Sequence, residues 1–118
     1  MYQVKEIRLT NGGRERKRLV IEFCDPDKQI VGEFLMSDAP MLNGTILQEI
    51  DQVLNGKKRM ITSSGNRCFI TVKSDVTMIE DLLTAMEGVE AYPPYTLDTK
   101  ELRELIVMWF ENIKLDDH

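Results

Sequence analysis

The chain has 118 residues and a mass of 13.6 kDa, so one hydrophobic core can form without a disulfide or a metal ion. Hydrophobic residues make up 42 % and charged residues 30 %, a balance that argues against a chain that is disordered over its whole length. A net charge of −5 argues against a generally basic nucleic-acid-binding protein, and no apolar run approaches a membrane span. We expect one domain over residues 1–118, with no signal peptide after Met1.

The first part of the chain predicts three strands of an antiparallel meander. These strands cover residues 2–10, 18–24 and 30–36. Apolar residues change parity within the first strand, which predicts a bulge near Lys5 and Glu6. Turns are predicted at residues 11–13, which include two glycines, and at residues 25–28, which include Pro26.

A change to helical periodicity marks the middle of the chain. Apolar residues form one stripe over residues 46–54, with Asn43 or Thr45 as the N-cap and Gly56 at the C-terminal end. A second hairpin is predicted from residues 60–63 and 67–73, with Cys68, Ile70 and Val72 facing the core.

The last third of the chain contains one ambiguous segment and one clear helix. Residues 77–83 fit a strand or a helix, and their β-favouring Thr77 and Ile79 favour a strand. Residues 84–94 predict a loop, and Asp98 predicts the N-cap of a C-terminal helix. The sequence therefore predicts an α+β fold in the order β-β-β-α-β-β-(β)-α, with five or six antiparallel strands and two helices packed on them.

The two cysteines, Cys24 and Cys68, have no metal-ligand or redox spacing. Each lies in an apolar, strand-like run, which favours buried and unreactive thiols, with a disulfide or a reactive thiol as the alternative. With no signal peptide, free thiols favour a cytoplasmic location.

Residue patterns typical of enzymes are missing from the sequence. The one histidine, His118, is the last residue, so no interior histidine can activate a nucleophile or bind zinc. Glu80 and Asp81 are adjacent on a predicted strand, and neighbours on a strand point to opposite faces. We therefore expect no catalysis, no metal and no cofactor.

Charge is distributed unevenly along the chain. Residues 1–73 contain 12 Lys or Arg and 9 Asp or Glu, a net of +3, whereas residues 74–118 contain 3 and 11, a net of −8. This asymmetry favours an acidic surface for a basic partner, although an acidic surface can also serve only solubility. The candidate partner-binding residues are Asp75, Glu80, Asp81, Glu87, Glu90, Tyr92 and Tyr95.

Two basic clusters offer a different hypothesis. The clusters are Arg14, Arg16, Lys17 and Arg18 after the first turn, and Lys57, Lys58 and Arg59 after the first helix. Either cluster can contact phosphate, and the alternative function is a small nucleic-acid-binding accessory module that uses residues 14–18. No aromatic residue interleaves either cluster to stack on bases, so exposed charged loops are the simpler interpretation.

Four short stretches resemble small immunity proteins of bacterial polymorphic-toxin and contact-dependent growth-inhibition systems. They are EIDQVLNG at 49–56, SGNRC at 64–68, TMIEDL at 77–82 and YTLDTKEL at 95–102. The resemblance covers about residues 28–113. It implies a non-catalytic inhibitor that binds a cognate toxin domain, often a nuclease, in the cytoplasm, in a 1:1 complex. A further alternative to this inhibitor is that the chain is a subunit of a larger assembly.

Overall fold

The computed structural model describes residues 1–42 and 45–116 and has the predicted α+β fold. The strands are β1 (Tyr2–Asn11), β2 (Arg14–Phe23), β3 (Met60–Ser64), β4 (Cys68–Lys73), β5 (Val76–Asp81) and β6 (Tyr95–Asp98). The helices are α1 (Gln29–Glu33), α2 (Thr45–Leu54) and α3 (Thr99–Asp116). Strands β1 and β2 form a two-stranded sheet, and the other four form a sheet in the order β3-β4-β5-β6, antiparallel throughout.

The β1–β2 hairpin has an uninterrupted register, so the predicted bulge near Lys5 and Glu6 is wrong. Gly12 and Gly13 have φ angles of +59° and +81°, which only glycine adopts easily, and they form the predicted turn. The parity of the apolar residues changes because only the base of the hairpin contacts the core. Ile7, near the tip, is exposed on the opposite face.

The base of the hairpin packs on the rest of the molecule through Ile21 and Phe23, both buried. This confirms a strand over most of the predicted residues 18–24, with Ile21 and Phe23 on the face toward the core. Cys68 is buried as predicted, whereas Cys24 is exposed, so its assignment to the core is wrong. Cys24 follows Phe23 and has the parity of exposed Glu22, which explains why its thiol faces away from the core.

The predicted third strand over residues 30–36 is wrong, because this segment is helical. Helix α1 continues through a π-helical turn at Phe34–Asp38. Apolar residues occur at both even and odd positions of this segment. Counted from Ile30, they lie one, four and five residues further on, which is the spacing of one face of a helix. Its buried members are Ile30, Val31, Phe34 and Leu35. The predicted turn at residues 25–28 is confirmed: the Lys28 N–H donates to the Asp25 carbonyl at 3.1 Å, within a 3₁₀ helix over Pro26–Lys28. The Asp25 carboxylate accepts a bond from the Asp27 N–H at 2.9 Å.

Helix α2 follows the prediction closely. Gly56 has a φ angle of +84° and lies just beyond the last helical residue, where a left-handed conformation is favoured. Thr45 is the first helical residue, and the alternative cap Asn43 lies outside the described residues. Ile46, Ile50 and Val53 are buried against the sheet.

The four-stranded sheet has one covered face and one open face. Its inner face contacts α2 and α3 and carries the predicted core residues Cys68, Ile70 and Val72. Residues 77–81 of the ambiguous segment lie in β5, which confirms the preference for a strand there, whereas Leu82 and Leu83 begin a 3₁₀ helix over Leu82–Ala85. Strand β6 was not predicted from the sequence. The predicted C-terminal helix is confirmed as α3, which buries Leu102, Ile106 and Trp109.

Candidate protein-binding surface

Asp81 is the last residue of β5 and organises the long connection to β6. Its parity places it on the inner face with Ile79, and its side chain is fully buried. Arg67, just before β4, meets this carboxylate with two bonds, Nε to Oδ1 at 2.9 Å and Nη2 to Oδ2 at 3.0 Å. Such a bidentate pair supplies the charge that a buried carboxylate needs.

The same carboxylate also holds both ends of the β5–β6 loop, residues 82–94. Oδ1 accepts from the Leu83 N–H at 3.0 Å, and Oδ2 accepts from the Tyr92 N–H at 2.9 Å. The Thr84 hydroxyl donates to the Asp81 carbonyl at 2.7 Å. The backbone N–H groups of Leu83 and Tyr92, near the two ends of the loop, are thus both bonded to the Asp81 side chain.

Arg67 is itself positioned by Asp38, the last residue of the π-helical turn. The buried Asp38 carboxylate accepts the N–H groups of Arg67 at 2.9 Å and Cys68 at 2.7 Å. Gly65 permits this approach, because a Cβ there would lie 2.5 Å from the Asp38 Cγ. Sequence reasoning missed Asp38 and Arg67, because their contacts join residues 29 and 14 positions apart and no local pattern indicates them.

The electrostatics of this network favour its charged form. Burial alone raises the pKa of Asp81, but the Arg67 guanidinium and the two backbone donors outweigh it and hold that pKa below its usual range. The bond to Asp81 raises the pKa of Arg67. Burial, with Asp38 and Asp81 nearby, strongly raises the pKa of the Cys68 thiol, which keeps it protonated and unreactive.

Three acidic side chains lie on or beside this loop. Glu80 is on the open face of the sheet, opposite Phe69 on β4, while Glu87 and Glu90 are exposed in the loop. Within the described part of the chain, none of the three has an ion-pair partner. An open groove of about 410 Å³ runs beside Glu80 and is lined by Phe69, Glu80, Asp81, Leu82, Thr84, Ala85 and Pro94.

The predicted tyrosines lie in different environments. Tyr92 is 38 % exposed in the loop, and the Arg67 guanidinium carbon lies 5.5 Å from its ring centre. Tyr95 opens β6 with its half-buried ring toward the Lys28 ammonium, 5.8 Å from the ring centre. We call Glu80, Glu87, Glu90 and Tyr92 the acidic-loop surface: each is a predicted residue on or beside the loop whose side chain is at least partly exposed.

Asp75 lies apart from this surface. It precedes β5, and Glu80 lies five residues on, about 17 Å along an extended strand. The Asp75 carboxylate accepts the N–H of Val76 at 2.8 Å, and its carbonyl accepts the N–H of Thr99 at 3.1 Å. Its contacts therefore join β5 to the start of α3.

Neither a metal site nor a membrane helix is found in the described part of the chain. No group of three or more His, Cys, Asp or Glu side chains in residues 1–42 and 45–116 is arranged to hold a metal ion. No α-helix in those residues combines the length and the apolar composition needed to cross a membrane.

Comparison with known proteins gives one informative relative. No family model matches the chain, and no solved structure gives a significant match. An immunity protein of Bacillus cereus is 32 % identical over 106 residues, which cover 90 % of this chain and 83 % of the relative. At this identity and coverage, the chain belongs to the same family as the Bacillus cereus immunity protein.

Proposed function

We propose that the chain is a non-catalytic immunity protein, which binds a cognate toxin domain in a 1:1 complex and neutralises it through the acidic-loop surface. The related immunity protein, which matches most of this chain, carries the proposal. The toxin domain is a basic nuclease encoded by a neighbouring gene, and the complex forms in the cytoplasm of the producing cell.

The geometry of the loop supports its use as a binding surface. Asp81 accepts partly buried bonds from residues near both ends of the loop, which lowers the conformational entropy that is lost when a partner binds. Glu80, Glu87 and Glu90 remain free of ion pairs in the described structure, and Glu80 lines an open groove. Phe69 and Leu82 in that groove provide apolar contact area beside the Glu80 carboxylate, and interfaces commonly combine apolar and polar contacts in this way.

The charge of the surface supports a basic partner. Nucleases carry Lys and Arg that bind phosphates, so clustered carboxylates occupy the same positions that the nucleic acid would take. Residues 74–118 carry a net charge of −8, which accelerates the encounter with a basic protein at low salt. Blocking the nucleic-acid-binding surface inhibits the toxin without any chemistry by this chain.

A charge-reversal experiment tests both the activity and its location. The purified toxin domain is assayed for nucleic-acid cleavage and for association with this chain by stopped-flow at several salt concentrations. One molar equivalent of the wild-type chain should abolish cleavage. The double variant Glu87→Lys with Glu90→Lys should associate about tenfold more slowly at low salt, with a smaller change in the dissociation rate.

The matched control is Glu104→Lys with Glu111→Lys. Both residues are exposed on α3, and this pair changes the net charge by the same amount. Equal slowing by the two double variants would mean that only net charge matters and would refute the proposed location. A neighbouring gene product that has no nuclease activity would refute the proposed target.

A further inference from the structure

The outer backbone edge of β2 has no paired strand over residues 15–19 in the described part of the chain. The pair Asn11 and Arg14 closes a two-residue turn, so it forms a hydrogen-bonded pair of the ladder. At the base of the hairpin the Cys24 N–H donates to the Met1 carbonyl at 3.0 Å. This bond follows the same alternation of hydrogen-bonded and non-hydrogen-bonded pairs that starts at the turn. The backbone groups of Glu15, Lys17 and Leu19 therefore point away from β1.

Helix α1 covers this edge only from Ile21 onward. A Cβ on Gly32 would lie 3.5 Å from the Ile21 carbonyl oxygen, so the helix packs directly against the strand there. Within residues 1–42 and 45–116, β2 pairs with β1 alone. The segment Glu15–Leu19 thus offers outward N–H and C=O groups to an additional strand.

An open groove of about 210 Å³ begins where this free edge ends. It is lined by Arg18, Leu19, Met36, Pro40, Trp109 and Ile113. Trp109 is 2 % exposed, and its indole Nε1 has no acceptor among the described residues. A buried donor without an acceptor costs stability, so a bound segment that supplies an acceptor beside Trp109 would be favoured.

The charge beside the free edge selects the partner. Arg14, Arg16 and Arg18 alternate along β2 and lie on one face, at about 6.7 Å intervals. The opposite strand places Ile7 and Leu9 on that face, both exposed. An added strand with carboxylates at alternate positions would place each of them beside an arginine.

We propose that the free edge of β2 over residues 15–19, with the adjoining Trp109 groove, binds an extended acidic segment of a partner protein as a third strand. Carboxylates at alternate positions lie beside Arg14, Arg16 and Arg18. The intervening apolar side chains lie on the Leu19 face and enter the groove. A nucleic acid is the weaker candidate, because residues 5–18 of the hairpin include no aromatic residue for base stacking and the chain carries a net charge of −5.

This inference does not depend on the acidic-loop surface, and its test uses no toxin. The probe is an acetylated nine-residue peptide with Glu at odd positions and Val between them. A peptide of the same composition, with its five Glu in one block, serves as the control. Trp109 is the one tryptophan of the chain, so its fluorescence reports binding at the groove, and hydrogen exchange reports the amides of Lys17 and Leu19.

The edge is tested by a pair of variants at one position. Lys17→Pro removes an outward N–H but no bond of the β1–β2 ladder, whereas Lys17→Ala keeps that N–H. We expect Lys17→Ala to weaken peptide binding about threefold and Lys17→Pro at least tenfold. Arg18→Glu leaves the backbone unchanged and, since Arg14 and Arg16 remain, should weaken binding of the Glu peptide about tenfold without abolishing it.

Specific results would overturn the proposal. Equal binding of the block peptide would reduce the site to charge attraction. Equal affinities for the Pro and Ala variants would exclude strand addition. Displacement of the peptide by RNA at physiological salt would identify a nucleic-acid site, and concentration-dependent dimers that Lys17→Pro dissolves would identify a second copy as the occupant.

Discussion

At the residue scale, the ion pair of Asp81 with Arg67 is the contact on which most of the loop depends. Replacing Asp81 by Asn leaves the guanidinium, only 23 % exposed, without its main counter-charge. We expect Asp81→Asn to lower the free energy of unfolding by about 2 kcal/mol, measured by urea denaturation. The control is Glu80→Gln on the open face, which should change it by less than about 0.5 kcal/mol; equal effects would contradict the assigned role.

The lowered pKa of Asp81 also predicts how this difference varies with pH. A carboxyl whose pKa is lower in the folded state contributes stability above its unfolded pKa of about 3.9 and loses it as the pH falls through the folded pKa. The stability gap between wild type and Asp81→Asn should therefore shrink from pH 5 to pH 3. Asp51, paired with Arg103, has a lowered pKa too, but it is present in both proteins and its contribution cancels. A gap that stays constant with pH would count against ionised Asp81.

The two cysteines should differ in reactivity toward iodoacetamide. Cys24 is exposed, whereas Cys68 is 1 % exposed and its pKa is raised by burial beside Asp38 and Asp81. We expect mass spectrometry of the native protein to show one modified cysteine, Cys24, and two after denaturation. Rapid modification of Cys68 in the folded state would show that the region around the Arg67 network opens frequently.

At the element scale, the β3–β4 turn depends on a glycine for steric reasons alone. Gly65 has an ordinary φ angle, so alanine is tolerated by the backbone, but its Cβ would lie 2.5 Å from the Asp38 Cγ. We expect Gly65→Ala to lower the free energy of unfolding by about 2 kcal/mol in urea denaturation. It should also weaken the bonds between Asp81 and the β5–β6 loop, because the displaced Asp38 positions Arg67. Ser64→Ala, an exposed neighbour, should be nearly neutral, and equal stability of the two variants would contradict this close approach.

Elements whose periodicity is governed by one buried face were predictable from sequence. Helix α2, strand β4 and helix α3 each have such a face, and each was found where the pattern indicated. Helix α1 was missed because Ile30, Gly32 and Phe34 also satisfy a two-residue period, and only tertiary packing decides between the two. Strand β6 has four residues, too few for a pattern, and it exists through pairing with β5.

The candidate surface was predictable in composition but not in arrangement. Acidic residues after residue 74 pointed to the β5–β6 loop, and Glu87 and Glu90 do lie exposed there. The sequence alone did not separate Glu80 from Asp81, because the strand assignment was open and parity decides which carboxylate is buried. The contact of Asp38 with the β3–β4 turn joins residues 29 positions apart, which no local pattern reveals.

At the scale of the whole molecule, stability should be distributed between the two sheets very unequally. The distal hairpin, residues 5–18, is a two-stranded ribbon with exposed side chains, and such ribbons are only marginally stable in water. Strands β4 and β5 lie in the centre of the larger sheet, with Ile70, Val72 and Ile79 fully or almost fully buried. We expect hydrogen exchange to be fastest in the distal hairpin and slowest in β4 and β5.

Two leucine substitutions separate local from global opening in that experiment. Leu9 is 45 % exposed on the hairpin, whereas Leu102 of α3 is fully buried. Leu102→Ala should lower the free energy of unfolding by about 3 kcal/mol and speed exchange in β4 and β5, because that exchange requires global unfolding. Leu9→Ala should leave β4 and β5 unchanged. If Leu9→Ala accelerated exchange throughout the molecule, the hairpin would unfold together with the core, and the free edge of β2 would be as stable as the larger sheet.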